Sequence, residues 1–259
     1  MKNILAAYGL GLLLALAAAA GEPDGPEKKP AGYGAPGKFS KEMQAFEKAD
    51  AAAKPPEGAI VCTGSSSMKG WHATIAEDLA PLTVIPRGFG GSNMNDLLHH
   101  AERVVLAYKP RAVVVYEGDN DIASGIAPEK ILEAFKAFVG KVHEKLPEAR
   151  IYVLSIKPSP SRWSLWKKTQ EANALLKAFC AENKLLAYVD VATPMLNEKG
   201  EPKKEIFQSD NLHMARAGYK LWRDALRPAL MAAEEKHEKP RQTPAEKPAE
   251  KPAEKPAAP

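Results

Sequence analysis

A hydroxyl, an imidazole and a carboxylate within reach of one another can cleave an ester by acyl transfer, and this chain carries candidates for each role. Ser65, Ser66 and Ser67 stand in a row in IVCTGSSSMKGW, directly after an apolar run. Asp210 and His213 lie in QSDNLH, three residues apart. At that spacing in one turn the carboxylate can accept Nδ1–H and leave Nε2 free as a base. Two further stretches offer donors to a developing oxyanion. RGFGGS, residues 87–92, has Gly88, Gly90 and Gly91, which permit unusual backbone angles and an exposed N–H. EGDND, residues 117–121, brings the amide of Asn120. Each piece also has a plain structural use. Serines cap helices, glycines make turns, and a lone Asp-x-x-His can be a capping Asp beside a surface His. Three hydroxyls at a helix start can equally bind a phosphate, as a flavodoxin-like protein would. The residues alone do not choose among the three serines.

The elements that must position these groups are legible as an alternation. Short apolar, β-branched runs occur at 59–63 (AIVCT), 82–86 (LTVIP), 112–116 (AVVVY), 151–156 (IYVLSI) and 186–191 (LAYVDV). Runs with no polar alternation, such as AVVVY, belong to strands buried on both faces, as in a parallel sheet. Helical periodicity covers 94–108, 128–145, 165–183 and 215–233, with a first helix at 40–53 before the sheet. Pro128 stands at a helix start, where its missing N–H is harmless. The expected fold is a three-layer α/β/α sandwich with right-handed crossovers. Such sheets bind ligands beyond the carboxyl ends of their strands. All four candidate stretches fall at that edge. Their combination is far more specific than any one of them.

Both chain ends differ from this core. Residues 1–20 (MKNILAAYGLGLLLALAAAA) have a basic start, an apolar stretch and small residues for cleavage, the pattern of a signal peptide. The expectation is export to the periplasm or the extracellular space, with an uncleaved anchor as the alternative. Residues 21–38 are rich in Pro and Gly and read as a linker. The segment 234–259, with its PAEK repeats, reads as an extended solvated tail. The remaining 39–233 suits one domain with a sizeable core. A net charge of +4, with lysines spread along the chain, provides no basic stripe and argues against nucleic acid. Cys62 and Cys180 are expected to be buried thiols rather than a bridge. No Cys/His cluster has zinc spacing. His72, His99, His100 and His143 are expected at the surface. Asp96 and Asp121 are expected to hold loops, and Arg87 and Trp163 to pack rather than touch substrate.

Taken in order, GSSS, Gly91 in RGFGGS, GDND and DNLH resemble the conserved blocks of the SGNH, or GDSL, hydrolase family of esterases and lipases. The surrounding text GDNDIASG, IKPSPSRW and FQSDNLHMARAGYKLW resembles the family as well. The resemblance runs from about residue 59 to 228. It implies a flavodoxin-like, doubly wound five-stranded parallel sheet of order 2-1-3-4-5 with no required metal or cofactor. It implies Ser66 as nucleophile, His213 as base and Asp210 as its partner. Ser66, Gly91 and Asn120 would form the oxyanion hole. The ester would carry a short acyl group, with O-acetyl groups on glycans as one candidate. A catalytically silent glycan- or anion-binding protein on the same fold is the alternative. One departure stands out: the family commonly has Asp before the nucleophile, where this chain has Ser65.

Overall fold

The computed structural model describes residues 32–36 and 39–238. The N-terminal apolar run and the PAEK repeats lie outside the described residues. Five parallel strands, β1 (Ile60–Gly64), β2 (Val84–Gly88), β3 (Ala112–Tyr116), β4 (Arg150–Leu154) and β5 (Leu186–Val189), pair in the order β2-β1-β3-β4-β5. This is the order that the resemblance implies. Alternate residues leave the sheet on opposite sides, as the strand period requires. Val61, Val113, Val115, Ile151 and Val153 enter one core cluster; Ile60, Cys62, Val114, Tyr152 and Leu154 enter the other.

Helices cover each face. On the first side pack α1 (Ser40–Ala52), α4 (Met94–Val104), α6 (Pro128–Lys145) and α7 (Trp166–Ala181). On the second side pack α2 (Ser66–Trp71), α3 (Ile75–Asp78) and α8 (Arg216–Glu234). A short α5 (Asp119–Ala123) follows β3. Cys62 and Cys180 belong to clusters on opposite sides of the sheet and are free, buried thiols. Among the described residues no helix is long and apolar enough to cross a membrane.

Several expectations are corrected. The second strand begins two residues later than its apolar run and continues past Pro86 to Gly88. It is an edge strand paired only with β1, so a residue without N–H does not break the sheet. Part of the expected linker is docked: Tyr33 packs against the first core cluster, and its hydroxyl donates to Asp121 at 2.5 Å. His100 is 6% exposed and meets Phe39 and Phe89 edge to face, so it is not a surface residue. His143 and His72 are half-buried, whereas His99 is exposed as expected. Arg87 does pack as expected, against the Phe46 and Tyr108 rings, and pairs with Asp50.

The packed unit also continues beyond residue 233. Glu234 is fully buried at the end of α8. Its carboxylate accepts from Arg111, from Arg150 at 2.7 Å and from the Tyr152 hydroxyl at 2.8 Å. Glu238 in turn accepts from the Thr83 N–H and hydroxyl, both at 2.8 Å. These bonds tie the chain's last described residues to β4 and to the loop before β2. Burial pushes the Glu234 acid up, but Arg150, Tyr152 and Arg111 outweigh it and hold it below the usual range. A depressed acid contributes stability above its unfolded value and loses it as pH falls through the folded one. Glu234→Ala should therefore cost about 3 kcal/mol at neutral pH, the low end for breaking a buried pair because both arginines partly reach water. Urea unfolding should show that gap narrowing in acid.

Candidate active site

β1 ends at Gly64, and the chain turns through Ser65 into α2. Ser65 is buried and extended, and its N–H donates to the Tyr116 carbonyl at 3.0 Å, prolonging the β1–β3 pairing. Ser67 is buried inside the helix. Ser66 is the first helical residue and half-buried, and its N–H has no intrahelical acceptor. Its Oγ lies 2.9 Å from His213 Nε2. His213 Nδ1 lies 2.6 Å from Asp210 Oδ2. A carboxylate only accepts, so Nδ1 carries the hydrogen and Nε2 receives the Ser66 hydroxyl.

The loop holding Asp210 and His213 is itself well braced. Asp210 Oδ1 accepts from the N–H groups of Leu212 and His213, both at 2.9 Å. Asn211 adopts φ +56°, a conformation that Asn tolerates. The bond to His213, aided by the two N–H groups, holds the Asp210 acid far below its usual range. The pair is open to water, with side-chain exposures of 46% for Asp210 and 35% for His213. Two contacts hold α8, which follows this loop, against α2 and α3. The Tyr219 hydroxyl donates to the Ser67 carbonyl at 2.9 Å, and Arg216 grips Asp78 with both terminal nitrogens.

The glycine-rich turn runs beside the serine. The Phe89 N–H donates to the Gly64 carbonyl at 2.8 Å. A Cβ on Gly90 would come within 3.8 Å of Ser66 Cβ. Gly91 has φ +87° and is exposed, with open space where a Cβ would stand. His72 Nε2 accepts from the Gly88 N–H at 2.9 Å, so this imidazole is a support for the turn. Burial first, then Arg87 and Lys69, lower its pKa to about 4, which keeps it neutral and able to accept.

Asn120 is gripped from both ends of its amide. Nδ2 donates to the Ser92 carbonyl at 2.8 Å, and Oδ1 accepts from Arg162 Nη2 at 3.0 Å. Those partners allow only one orientation of the amide. Arg162 also donates to Asp119 at 2.7 Å, and Lys157 does so at 2.9 Å. Burial pushes the Asp119 acid up, but the two cations outweigh it and hold it low. Asp121 accepts from the Met94 N–H, and Asp96 joins Asn93 in a capping box at the start of α4. Ser66, His213 and Asp210 are thus brought into one chain of contacts, with the glycine turn beside them.

Arg162, Lys157 and Glu117 have no role of their own in the sequence reading, although Glu117 opens EGDND and the other two lie in IKPSPSRW. Trp163 stacks on Trp166 with centroids 5.7 Å apart. Among the described residues no cluster of three His, Cys, Asp or Glu side chains could hold a metal ion.

The profile of the GDSL-like Lipase/Acylhydrolase family matches residues 32–221. The chain belongs to this family. As a GDSL-type acylhydrolase it is a hydrolase acting on ester bonds. It is 30% identical over 175 residues to human platelet-activating factor acetylhydrolase IB subunit alpha1, covering 66% of this chain and 74% of that protein. Its fold matches a putative acylhydrolase from Bacteroides fragilis with TM-score 0.66 at 21% identity, over 76% of this chain and 99% of that one. It also matches a GDSL-like lipase from Bacteroides thetaiotaomicron with TM-score 0.65 at 21% identity, over 74% of this chain and 98% of that one.

Proposed function

We propose that this acylhydrolase is an exported serine esterase that removes short acyl groups, O-acetyl groups on glycans among them. The observation that carries the proposal is the continuous contact from Ser66 Oγ through His213 to Asp210, at 2.9 and 2.6 Å. Ser66 Oγ attacks the ester carbonyl while His213 Nε2 takes its proton. Asp210 steadies the imidazolium. The carbonyl oxygen becomes an oxyanion held by the N–H groups of Ser66 and Gly91 and by the Asn120 amide. One such donor is worth about 2.7–4 kcal/mol of barrier. As the tetrahedral centre collapses, the C–O bond to the alcohol breaks and His213 protonates the leaving oxygen. Water, deprotonated by His213, then releases the acid from the acyl-enzyme.

The human relative is named an acetylhydrolase, which fits a short acyl group. The signal-like N-terminus favours a substrate outside the cytoplasm. A fluorophosphonate probe should label Ser66, and activated acetyl esters should turn over faster than butyryl and octanoyl ones, with acetate released from acetylated glycans. An unlabelled Ser66 would point to the silent binding protein instead. Faster octanoyl turnover would move the substrate to lipids.

A further inference from the structure

Behind the glycine turn sits a carboxyl group that the proposed chemistry does not use. Glu117 follows β3 directly and is 0% exposed. Its Oε1 lies 2.6 Å from Ser92 Oγ. Ser92 is buried too, and its Oγ is also 2.9 Å from the Phe89 carbonyl. A hydroxyl has one hydrogen, so Ser92 cannot donate to both oxygens. The Phe89 carbonyl can only accept. Both contacts are full two-centre hydrogen bonds only when Glu117 supplies the second hydrogen. The other carboxyl oxygen agrees. Oε2 is buried and has no partner among the described residues. A carboxylate would strand a charged oxygen there, whereas a neutral acid leaves only a carbonyl, at far smaller cost.

The surroundings act the same way. Burial, then Asp121, push the Glu117 acid well above its usual range, and Asp96 and Asp119 add to this against the Ser92 bond. Tyr33 faces the same cluster through its bond to Asp121. Lys157 and Arg162 are engaged by Asp119.

We propose that Glu117 is a positioning residue, a neutral acid that donates to Ser92 Oγ so that Ser92 in turn donates to the Phe89 carbonyl. Ser92 then holds both sides of the proposed oxyanion hole. Its side chain ties the turn that presents Gly91, and its carbonyl holds the Asn120 amide at 2.8 Å. The catalytic part of this inference rests on Gly91 and Asn120 being the oxyanion donors, while the protonation of Glu117 does not.

Infrared difference spectra of wild type against Glu117→Gln at neutral pH should show a protonated-carboxyl C=O band in the wild type only. A difference confined to carboxylate bands overturns the proposal. In kinetics, Glu117→Leu should lower kcat by about 10- to 100-fold, as small misplacements of a site do, with KM little changed. Glu117→Gln, whose amide N–H can still donate to Ser92, should recover most of that loss. Equal losses in both variants, or none in Glu117→Leu, overturn the positioning role. Should Glu117→Leu fail to fold, Ser92→Ala provides the kinetic arm: it must show the same fall in kcat, and an unchanged kcat overturns the role. Should Ser66→Ala keep its activity, the nucleophile assignment fails while the infrared band still stands, so the two failures are distinct.

Discussion

Ser66→Ala is expected to lower ester hydrolysis by about 10⁴- to 10⁶-fold, the range seen when one member of a triad is removed. Alanine keeps the Cβ and the helical backbone and deletes only Oγ. That atom's hydrogen bond is to His213 Nε2, and it caps no helix, because the turn has no side-chain cap. The change should therefore move the unfolding midpoint by no more than about 0.5 kcal/mol equivalent. This separation of activity from stability is the useful part. Ser65 and Ser67 are both buried in the strand-to-helix turn, so their alanine variants test packing around the site. The check is kcat/KM on an acetyl ester for the three single variants beside their urea midpoints. Activity retained in Ser66→Ala but lost in Ser65→Ala would move the nucleophile by one residue.

How far the sequence reached depends on length and distance. Strands such as AVVVY are legible because burial on both faces leaves no polar alternation to misread. The sequence shows α2 only as a helix start at the serines and does not show α3 or α5, since four to six residues are too few to display a helical period. Pro86 ends the second strand in the sequence because a proline punctuates most strands. The edge position that excuses it is a tertiary fact. His100 was legible in principle: it stands three residues after Leu97 and four before Val104, both in the core. A histidine on that stripe turns inward with its neighbours. The four site blocks were each weak but jointly specific, because one fold edge gathers them. The network of Arg162, Lys157, Asp119 and Asn120 joins residues 38 to 43 positions apart, through a crossover whose path is not written locally. Tyr33 was missed for a similar reason, its partner Asp121 lying 88 residues away.

Gly64→Ala is expected to leave little folded protein. A Cβ there would stand 2.0 Å from the Tyr116 carbonyl oxygen and 2.8 Å from its carbon, both backbone atoms of the neighbouring strand. Gly64 also has φ +135°, which L side chains rarely adopt. Neither strain can relax locally, because β1 lies between β2 and β3. Moving the strand end away would break the Ser65 N–H bond to Tyr116 on one side and the Phe89 bond to Gly64 on the other. The cost should exceed about 4 kcal/mol, in the tail reserved for overpacking and strain. That is a large share of the roughly 5–15 kcal/mol by which domains are stable. Gly91→Ala is the control: φ is +87°, but nothing stands within 4 Å of its Cβ, so only backbone strain of about 1–3 kcal/mol applies. Soluble yield and urea midpoints of the two variants decide the matter, and a Gly64→Ala protein with a wild-type midpoint would remove the steric account. The same contact explains the order of GSSS. Only a residue without a side chain lets the strand run flush against Tyr116 to its last hydrogen bond. The turn can then bury Ser65 and set Ser66 at the first position of the helix, facing His213.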